Sequence, residues 1–126
     1  MCLNNWGGID HKVLEFHEYV NLFSGKSGSG KSTVMDAIQV ILYGSFSPSF
    51  LNKAADDAKN RRSVLSYLRG EQKDGSANRK DCDFCSVIAL EIEDTGTYIT
   101  TCIGIAFEVR KSDSEIKKFV YFSHSG

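Results

Sequence analysis

The stretch Gly25-Lys26-Ser27-Gly28-Ser29-Gly30-Lys31-Ser32, GKSGSGKS in one-letter code, decides how the rest of the chain is interpreted. It matches the phosphate-loop (P-loop) pattern G-x-x-x-x-G-K-[ST] at every position. Glycines and small serines allow the backbone to curl so that its N–H groups point at phosphate oxygens, and a helix that starts at the loop adds the positive end of its dipole. Gly-Lys-Ser occurs twice, but only the copy at 30–32 has a glycine five residues before its own glycine. The register of the motif is therefore unambiguous.

The motif gives a role to most of its residues. Lys31 is the candidate catalytic residue, because its ammonium group would reach the β- and γ-phosphates of a bound nucleotide. The Ser32 hydroxyl would ligate Mg²⁺, and Thr33 is placed for a contact with the α-phosphate. The predicted cofactors are ATP and Mg²⁺. The candidate nucleotide-binding set in the loop is Gly25, Lys26, Ser27, Gly28, Ser29, Gly30, Lys31, Ser32 and Thr33.

The segments on either side of the loop have the strand–loop–helix character that the motif requires. Before it, Tyr19-Val20-Asn21-Leu22-Phe23 alternates as a strand does, which predicts a strand over 20–24. After it, residues 31–43 form a helical pattern with apolar residues on most of the circumference, so we expect burial on more than one side. Gly44 is placed to cap this helix. Asp36, a polar exception, could face the nucleotide site, but a local hydrogen bond or a solvated face is favoured.

Length and composition limit the class of protein. A chain of 126 residues makes one domain or part of one, and 41% hydrophobic with 25% charged residues is ordinary for a globular protein. A net charge of −1 gives no overall attraction to nucleic acid, so a DNA contact would need a local basic patch. No apolar run approaches the roughly 18 residues of a membrane span, and the N-terminus has no signal-peptide pattern. We therefore expect a cytoplasmic protein with no membrane partner.

The four cysteines are interpreted as reduced thiols. Cys82 and Cys85 have the spacing of a zinc pair, but a zinc site needs two more ligands. Cys2, Cys102 and the three histidines provide no second close pair. We expect cysteines without a metal at the entrance of a strand.

The remaining pattern is dominated by strands. Residues 2–6 and 12–16 predict two short strands around a turn at 7–10, residues 61–69 predict a helix that stops at Gly70, and the polar run 71–83 predicts a surface loop. From residue 84 the period changes to two, with turn signals at 94–96 and 111–115, so antiparallel strands are expected over about 84–122. The predicted fold is α/β, with a largely antiparallel sheet around the P-loop helix. A nucleotide kinase would instead alternate strands and helices.

These features resemble the N-terminal head segment of SMC-type, ABC-like ATPases, the coiled-coil ATPases of chromosome organisation and DNA repair. The matching residues are Asn-Trp at 5–6, a hairpin, GKSGSGKST at 25–33, MDAIQ at 35–39 and LYG at 42–44. The chain looks most similar to the condensin-like ATP-binding component, JetC, of Wadjet-type plasmid-defence systems and to its MukB-like relatives. That narrower likeness rests on NKAA at 52–55, SYLRG at 66–70 and VIALE at 87–91. The resemblance covers residues 4–110.

The resemblance implies that residues 1–126 are the N-terminal lobe of an ABC/SMC-type head, and a fragment of a longer protein. It implies that Asn5 lies near the nucleotide and that the run 66–70, with Arg69, lies on the surface near an opposing head or DNA. In this family the Walker B segment, the signature segment and the coiled coil come from elsewhere in the chain. The run 87–91 lacks the aspartate that a Walker B segment needs. We therefore expect ATP binding with little turnover, and as partners the other half of the head, a second head in a homodimer, and DNA.

Two other functions stay open. A self-contained nucleotide kinase or NTPase would need a parallel sheet and an arginine lid, for which Arg61, Arg62, Arg69 and Arg79 are nominal candidates. A non-catalytic module could bind another anion or DNA phosphates through the loop and a basic cluster. That cluster comprises Lys53, Lys59, Arg61, Arg62, Arg69, Arg79 and Lys80, and its charge is largely cancelled by Asp56, Asp57, Glu71, Asp74 and Asp81.

Overall fold

Two helices and five strands form the described part of the chain. The computed structural model describes residues 1–26, 28, 30–44, 64–72 and 74–126. The elements in chain order are β1 (Cys2–Trp6), β2 (Ile9–Val13), α1 (Lys31–Tyr43), α2 (Val64–Arg69), β3 (Phe84–Asp94), β4 (Ile99–Val109) and β5 (Lys118–Ser125). None of the helices in these ranges is long and apolar enough to cross a membrane.

The sheet is antiparallel at every pairing between described strands, as the alternating pattern predicted. Its order is β2-β1-β3-β4-β5, which places β3 in the centre. The longest ladder joins β3 to β4, from Phe84 opposite Val109 to Asp94 opposite Ile99. The Asp94 carboxylate accepts a hydrogen bond from the Gly96 N–H at 2.8 Å and so closes the turn that the sequence predicted here.

The core lies on one face of this sheet. Leu3, Ile88 and Ile105 point to that face and are fully buried. The apolar side chains of the two helices cover them. The members contributed by the helices are Val34, Ala37 and Val40 from α1, and Val64, Leu65, Tyr67 and Leu68 from α2. The phosphate loop is therefore joined to a helix whose position is fixed by the sheet.

Helix α1 has the predicted bounds but not the predicted burial. Gly44 caps it with a φ of +65° and donates its N–H to the carbonyl of Val40. The expectation of burial on more than one side is wrong, because Met35, Leu42 and Tyr43 are exposed. One stripe of the helix packs on the sheet, and the apolar residues outside that stripe meet no covering layer among the described residues. Asp36 lies in the buried stripe, so the solvated alternative for this residue is also wrong.

The predicted strand over 20–24 is not formed. The His17 N–H donates to Asn21 Oδ1 at 2.7 Å, and Asn21 Nδ2 donates back to the His17 carbonyl at 3.0 Å, so the chain turns at 17–21. None of the five described strands pairs with this segment. Val20 and Leu22 are exposed. Local alternation predicted a strand, but a strand needs a neighbour to receive its hydrogen bonds.

The first hairpin is tighter than predicted. The turn is Gly7-Gly8 alone, and Trp6 pairs with Ile9, so β2 begins three residues earlier than expected. Gly7 has a φ of +56°, and a positive φ at the first turn residue is what a type II′ hairpin requires. The predicted helix over 61–69 is α2 from Val64 onward, and residues 61–63 lie outside the described part.

The polar run 71–83 is only partly a surface loop. Arg79 is 6% exposed, although its neighbours Lys80 and Asp81 are exposed. Its guanidinium group enters the space between α2 and the β1–β2 turn. The prediction of a surface loop is therefore wrong at this residue.

Candidate phosphate-binding site

Two glycines of the loop have backbone conformations that favour glycine. Gly28 has a φ of +82° and Gly30 a φ of +95°, values that L side chains rarely adopt. A Cβ at either position would meet no described atom within 4 Å. The backbone conformation, and not crowding, is therefore what requires glycine here. Ser27 and Ser29, two members of the predicted set, lie outside the described residues.

The Lys31 side chain folds back over the loop. Its Nζ donates to the carbonyl of Gly25 at 2.6 Å and to that of Lys26 at 2.9 Å. These bonds tie the first residues of the motif to the first residue of α1. They place the ammonium group beside the backbone of Gly25 and Lys26, and its predicted contact with the β- and γ-phosphates stays a prediction.

The N-terminus of α1 has features that favour an anion. Gly30 is the N-cap residue, no side chain among the described residues caps the helix, and no acidic residue lies in its first turn. The Val34 N–H is bonded to the Gly30 carbonyl at 3.1 Å, so the amides before it are the ones that the helix itself leaves unsatisfied. Such amides, with the helix dipole, favour a phosphate. The Ser32 side chain, the predicted Mg²⁺ ligand, is exposed at this end of the helix.

The first hairpin contacts the backbone of Thr33. Trp6 Nε1 donates to the Thr33 carbonyl at 2.9 Å. Trp6 is fully buried and stacks at an angle on Tyr67, with ring centroids 4.8 Å apart. The Tyr67 hydroxyl in turn donates to Asp36 Oδ2 at 3.1 Å, one helical turn beyond Ser32. In the sequence, Trp6 stands out only as part of the Asn-Trp pair and Tyr67 only as part of the run 66–70. Neither residue has a local signal that points to α1.

Asn5 lies on the same strand as Trp6 and has an unusual backbone. Its φ is +50°, and its Nδ2 donates to the Cys85 carbonyl at 2.9 Å. Leu3 and Trp6 are both fully buried although they are three residues apart, which strict alternation along a strand does not allow. The distorted residue between them turns Trp6 toward the core. Asn5 therefore helps to aim the side chain that contacts Thr33, and its predicted place beside the nucleotide stays a prediction.

Arg79 joins three parts of the chain. Its Nε donates to the Leu68 carbonyl at 2.9 Å, Nη1 pairs with Asp10 at 2.8 Å, and Nη2 donates to the Gly7 carbonyl. Burial lowers the pKa of this guanidinium group from its ordinary value, and the charge of Asp10 opposes that shift. The group stays cationic, because an arginine pKa lies far above neutral pH. No local pattern in the polar run around it predicts this role.

Two basic residues make contacts within the chain. Arg69 is half-buried, and its Nη2 donates to the carbonyls of Arg110, Lys111 and Asp113 at 2.9 to 3.2 Å. Tyr67 and Leu68 of the same run are buried, so the expectation that this run lies on the surface is wrong for these two residues. Arg79 is buried and bound internally, which removes it from the predicted basic surface cluster. Lys53, Lys59, Arg61 and Arg62 lie outside the described residues.

The acidic residue of the run 87–91 lies on the wrong side of the sheet for the loop. Glu91 is exposed in β3 and has the opposite parity to Ile88, which faces α1 and the core. Across the described ranges, no three His, Cys, Asp or Glu residues are grouped to hold a metal. Cys82 and Cys85 are free and exposed.

Comparison with known proteins points to the same motif. Residues 1–58 match a family model described as the P-loop containing region of AAA domain. The chain is 33% identical over 72 residues to the SbcC component of the nuclease SbcCD of Staphylococcus haemolyticus, a match that covers 54% of this chain and 6% of that protein. It is 28% identical over 108 residues to the DNA replication and repair protein RecF of Francisella tularensis subsp. novicida, covering 82% of this chain and 30% of that protein.

The chain thus spans less than a third of the length of the curated relatives that it matches. The family model covers less than half of the chain, and the two relatives are, by name, a component of a nuclease and a DNA replication and repair protein. The P-loop match and the mostly antiparallel sheet fit an α/β fold.

Proposed function

We propose that this chain is the phosphate-loop part of an SMC-like ATPase head and that it binds ATP with Mg²⁺ through residues 25–32. The observation that carries the proposal is the Lys31 ammonium group, held 2.6 Å from the Gly25 carbonyl at the uncapped start of α1. A cation, the first-turn amides of a helix and the helix dipole converge there. A polyphosphate is the ligand class that matches all three.

Each residue then has a defined task. The loop amides and the first amides of α1 donate to phosphate oxygens, while Lys31 moves from the loop carbonyls to the β- and γ-phosphates. Ser32 holds Mg²⁺, which neutralises charge on the phosphate groups when bound. Thr33 contacts the α-phosphate, and Asn5 lies near the nucleotide.

Hydrolysis needs groups that the described residues do not bring to the loop. Glu91 faces the other side of the sheet, so the chain by itself binds ATP with little turnover. A Walker B carboxylate from the other half of the head, and a signature segment from a second head, would complete the site. The names of the two relatives connect them with nuclease function and with DNA replication and repair. We place the full assembly in DNA organisation, repair or plasmid defence, as in the JetC and MukB-like families.

Titration calorimetry with ATP and Mg²⁺ tests the proposal. Lys31→Ala should weaken binding by about tenfold to a hundredfold, because a charge-assisted hydrogen bond to phosphate is lost. Lys12→Ala is the matched control, since Lys12 is an exposed lysine on β2. Phosphate release by the wild-type chain should stay close to the buffer rate.

Equal ATP affinity in the wild type and in Lys31→Ala would overturn the proposal. A salt-dependent DNA shift that survives Lys31→Ala would instead support the non-catalytic binding module. Phosphoryl transfer to a nucleoside or its monophosphate would support the nucleotide kinase, an alternative to which the antiparallel sheet lends no support.

A further inference from the structure

We propose that Tyr67 is a positioning residue for the phosphate loop, and that through it the segment 64–79 is coupled to nucleotide binding. The inference rests on the proposed function, since it concerns the affinity of the same loop. It assigns a role to side chains that do not touch the nucleotide and that the loop motif does not include.

The first step is the contact between Trp6 and α1. The Thr33 carbonyl lies in the first turn of the helix, and the indole N–H that bonds to it belongs to a fully buried side chain. Because Trp6 ends a strand paired on both sides, its position is set by the sheet. The hydrogen bond from Trp6 to the Thr33 carbonyl therefore fixes the first turn of α1 relative to the sheet.

The second step is the tight packing around the hairpin turn. A Cβ at Gly7 would lie 2.9 Å from Thr33 Cγ2 and 3.2 Å from the Tyr67 ring, so the turn fits between these two side chains without spare room. A Cβ at Gly70 would lie 2.8 Å from the Gly7 carbonyl, so the end of α2 presses on the same turn. A shift of α2 must therefore move either the turn or the start of α1.

The third step is the Tyr67 hydroxyl. Tyr67 is 4% exposed and Asp36 is 6% exposed, and the hydroxyl donates to the carboxylate at 3.1 Å. A hydrogen bond to a charged acceptor inside a protein is strong and directional. It joins the middle of α2 to the second turn of α1, so two successive turns of the P-loop helix are held by Trp6 and Tyr67.

The fourth step extends the connection to the loop after α2. The Arg79 guanidinium group donates to the Leu68 and Gly7 carbonyls, and the Arg79 backbone N–H donates to the Arg69 carbonyl at 3.0 Å. Displacement of the segment 64–79 by a partner or by another part of the protein would thus reach the turn and the start of α1 together. The direct consequence is a change in the placement of the amides and of Lys31.

The test compares Tyr67→Phe with Tyr98→Phe. The first change removes only the hydroxyl that reaches Asp36, and the second removes a hydroxyl from a tyrosine that is 79% exposed in the β3–β4 turn. ATP affinity in the presence of Mg²⁺ is measured by calorimetry well below the melting temperature of each variant. We expect Tyr67→Phe to weaken binding roughly fivefold, a coupling of the size seen between linked sites, and Tyr98→Phe to leave it unchanged.

Two further measurements separate positioning from stability alone. Trp6 is the chain's single tryptophan, so its emission should respond to ATP in the wild type, and half-saturation should move to higher ATP concentration in Tyr67→Phe. Asp36→Asn keeps an oxygen acceptor for the hydroxyl and should retain more affinity than Tyr67→Phe. A Tyr67→Phe variant that melts earlier but binds ATP with wild-type affinity would overturn the proposal.

A ligand-free measurement distinguishes failure of this proposal from failure of the proposed function. Hydrogen exchange of the amides of residues 34–37 should be several times faster in Tyr67→Phe than in Tyr98→Phe. If the wild type does not bind ATP, the proposed function fails, and faster exchange still supports the coupling of α2 to α1. Equal exchange in both variants contradicts the coupling whatever the nucleotide result.

Discussion

The first hairpin and the last strand belong to the same sheet but are held by different means. In the β1–β2 hairpin, Leu3 and Trp6 are fully buried, and side chains from α1, α2 and Arg79 converge on the turn. In β5 every residue is exposed, including Phe119 and Tyr121. Buried directional contacts are therefore concentrated beside the phosphate loop. The far edge depends on its backbone ladder and on a few cross-strand pairs.

Several side-chain contacts hold β5 besides its ladder. The Phe122 ring lies directly over Gly104 on β4, where an added Cβ would be only 2.1 Å from the ring. Lys118 pairs with Glu108 at 2.9 Å. The Tyr121 hydroxyl donates to the Gly44 carbonyl at the end of α1, at 3.1 Å. A glycine covered by an aromatic ring is a recognised way to stabilise a strand pair.

The largest effect is expected on the hairpin side. Arg79→Met keeps much of the side-chain volume but leaves the Leu68 and Gly7 carbonyls without their donor, so the free energy of unfolding should fall by roughly 2–3 kcal/mol. Urea denaturation followed by circular dichroism measures this. Arg110→Met is the control, because Arg110 is 62% exposed and its surface pairs contribute little. Similar losses in both variants would remove the distinction between the two regions.

A smaller effect is expected at the edge. Gly104→Ala should destabilise the chain by about 1–3 kcal/mol, since the new methyl group must displace the Phe122 ring. Gly8→Ala is the matched control, because a Cβ at Gly8 would meet no described atom within 4 Å. In a Phe122→Ala background the cost of Gly104→Ala should shrink. An unchanged cost in that background would show that the ring does not define the edge.

The smallest effect is the pH dependence of the β4–β5 pair. The hydrogen bond from Lys118, then its charge and that of Arg110, lower the pKa of Glu108 below its ordinary value. A lowered pKa means that the carboxylate contributes stability above its ordinary pKa and loses that contribution as the pH falls through the lowered pKa. Glu108→Gln should flatten part of this loss in urea titrations between about pH 7 and pH 3. Identical pH profiles for the two proteins would rule out a contribution from this pair.

Local patterns predicted much of the fold. Helix α1 has the predicted ends because its apolar spacing and its glycine cap are both local signals, and the β3–β4 hairpin follows from strict alternation around the turn at 94–96. The Gly7-Gly8 turn also had a local signal, two glycines between alternating runs. The predicted turn over 7–10 was nevertheless two residues too long. The prediction of a strand over 20–24 was wrong, because alternation in the sequence does not show whether a partner strand is present.

The candidate site was predicted only in part. The motif named Lys31 and the glycines. Gly28 and Gly30 have positive φ values, and Lys31 bonds to the Gly25 carbonyl, while their predicted contacts with a nucleotide stay a prediction. The motif could not name Tyr67 or Arg79. Tyr67 bonds to Asp36, which is 31 residues away along the chain, and Arg79 bonds to Gly7, which is 72 residues away. Contacts at such separations depend on how the elements pack, and no local periodicity records them.

The sequence by itself determined the phosphate loop, its register, the helix that follows it and the antiparallel character of the sheet. Each of these depends on residue types within a few positions of one another, such as glycines that allow a positive φ or apolar residues spaced for one face. Only the tertiary structure decided that a buried tyrosine bonds to that helix and that a buried arginine joins α2 to the first hairpin. Their positions are set by the packing of α2 against the hairpin, where burying a hydroxyl or a guanidinium group is tolerated only with a partner from a distant part of the chain.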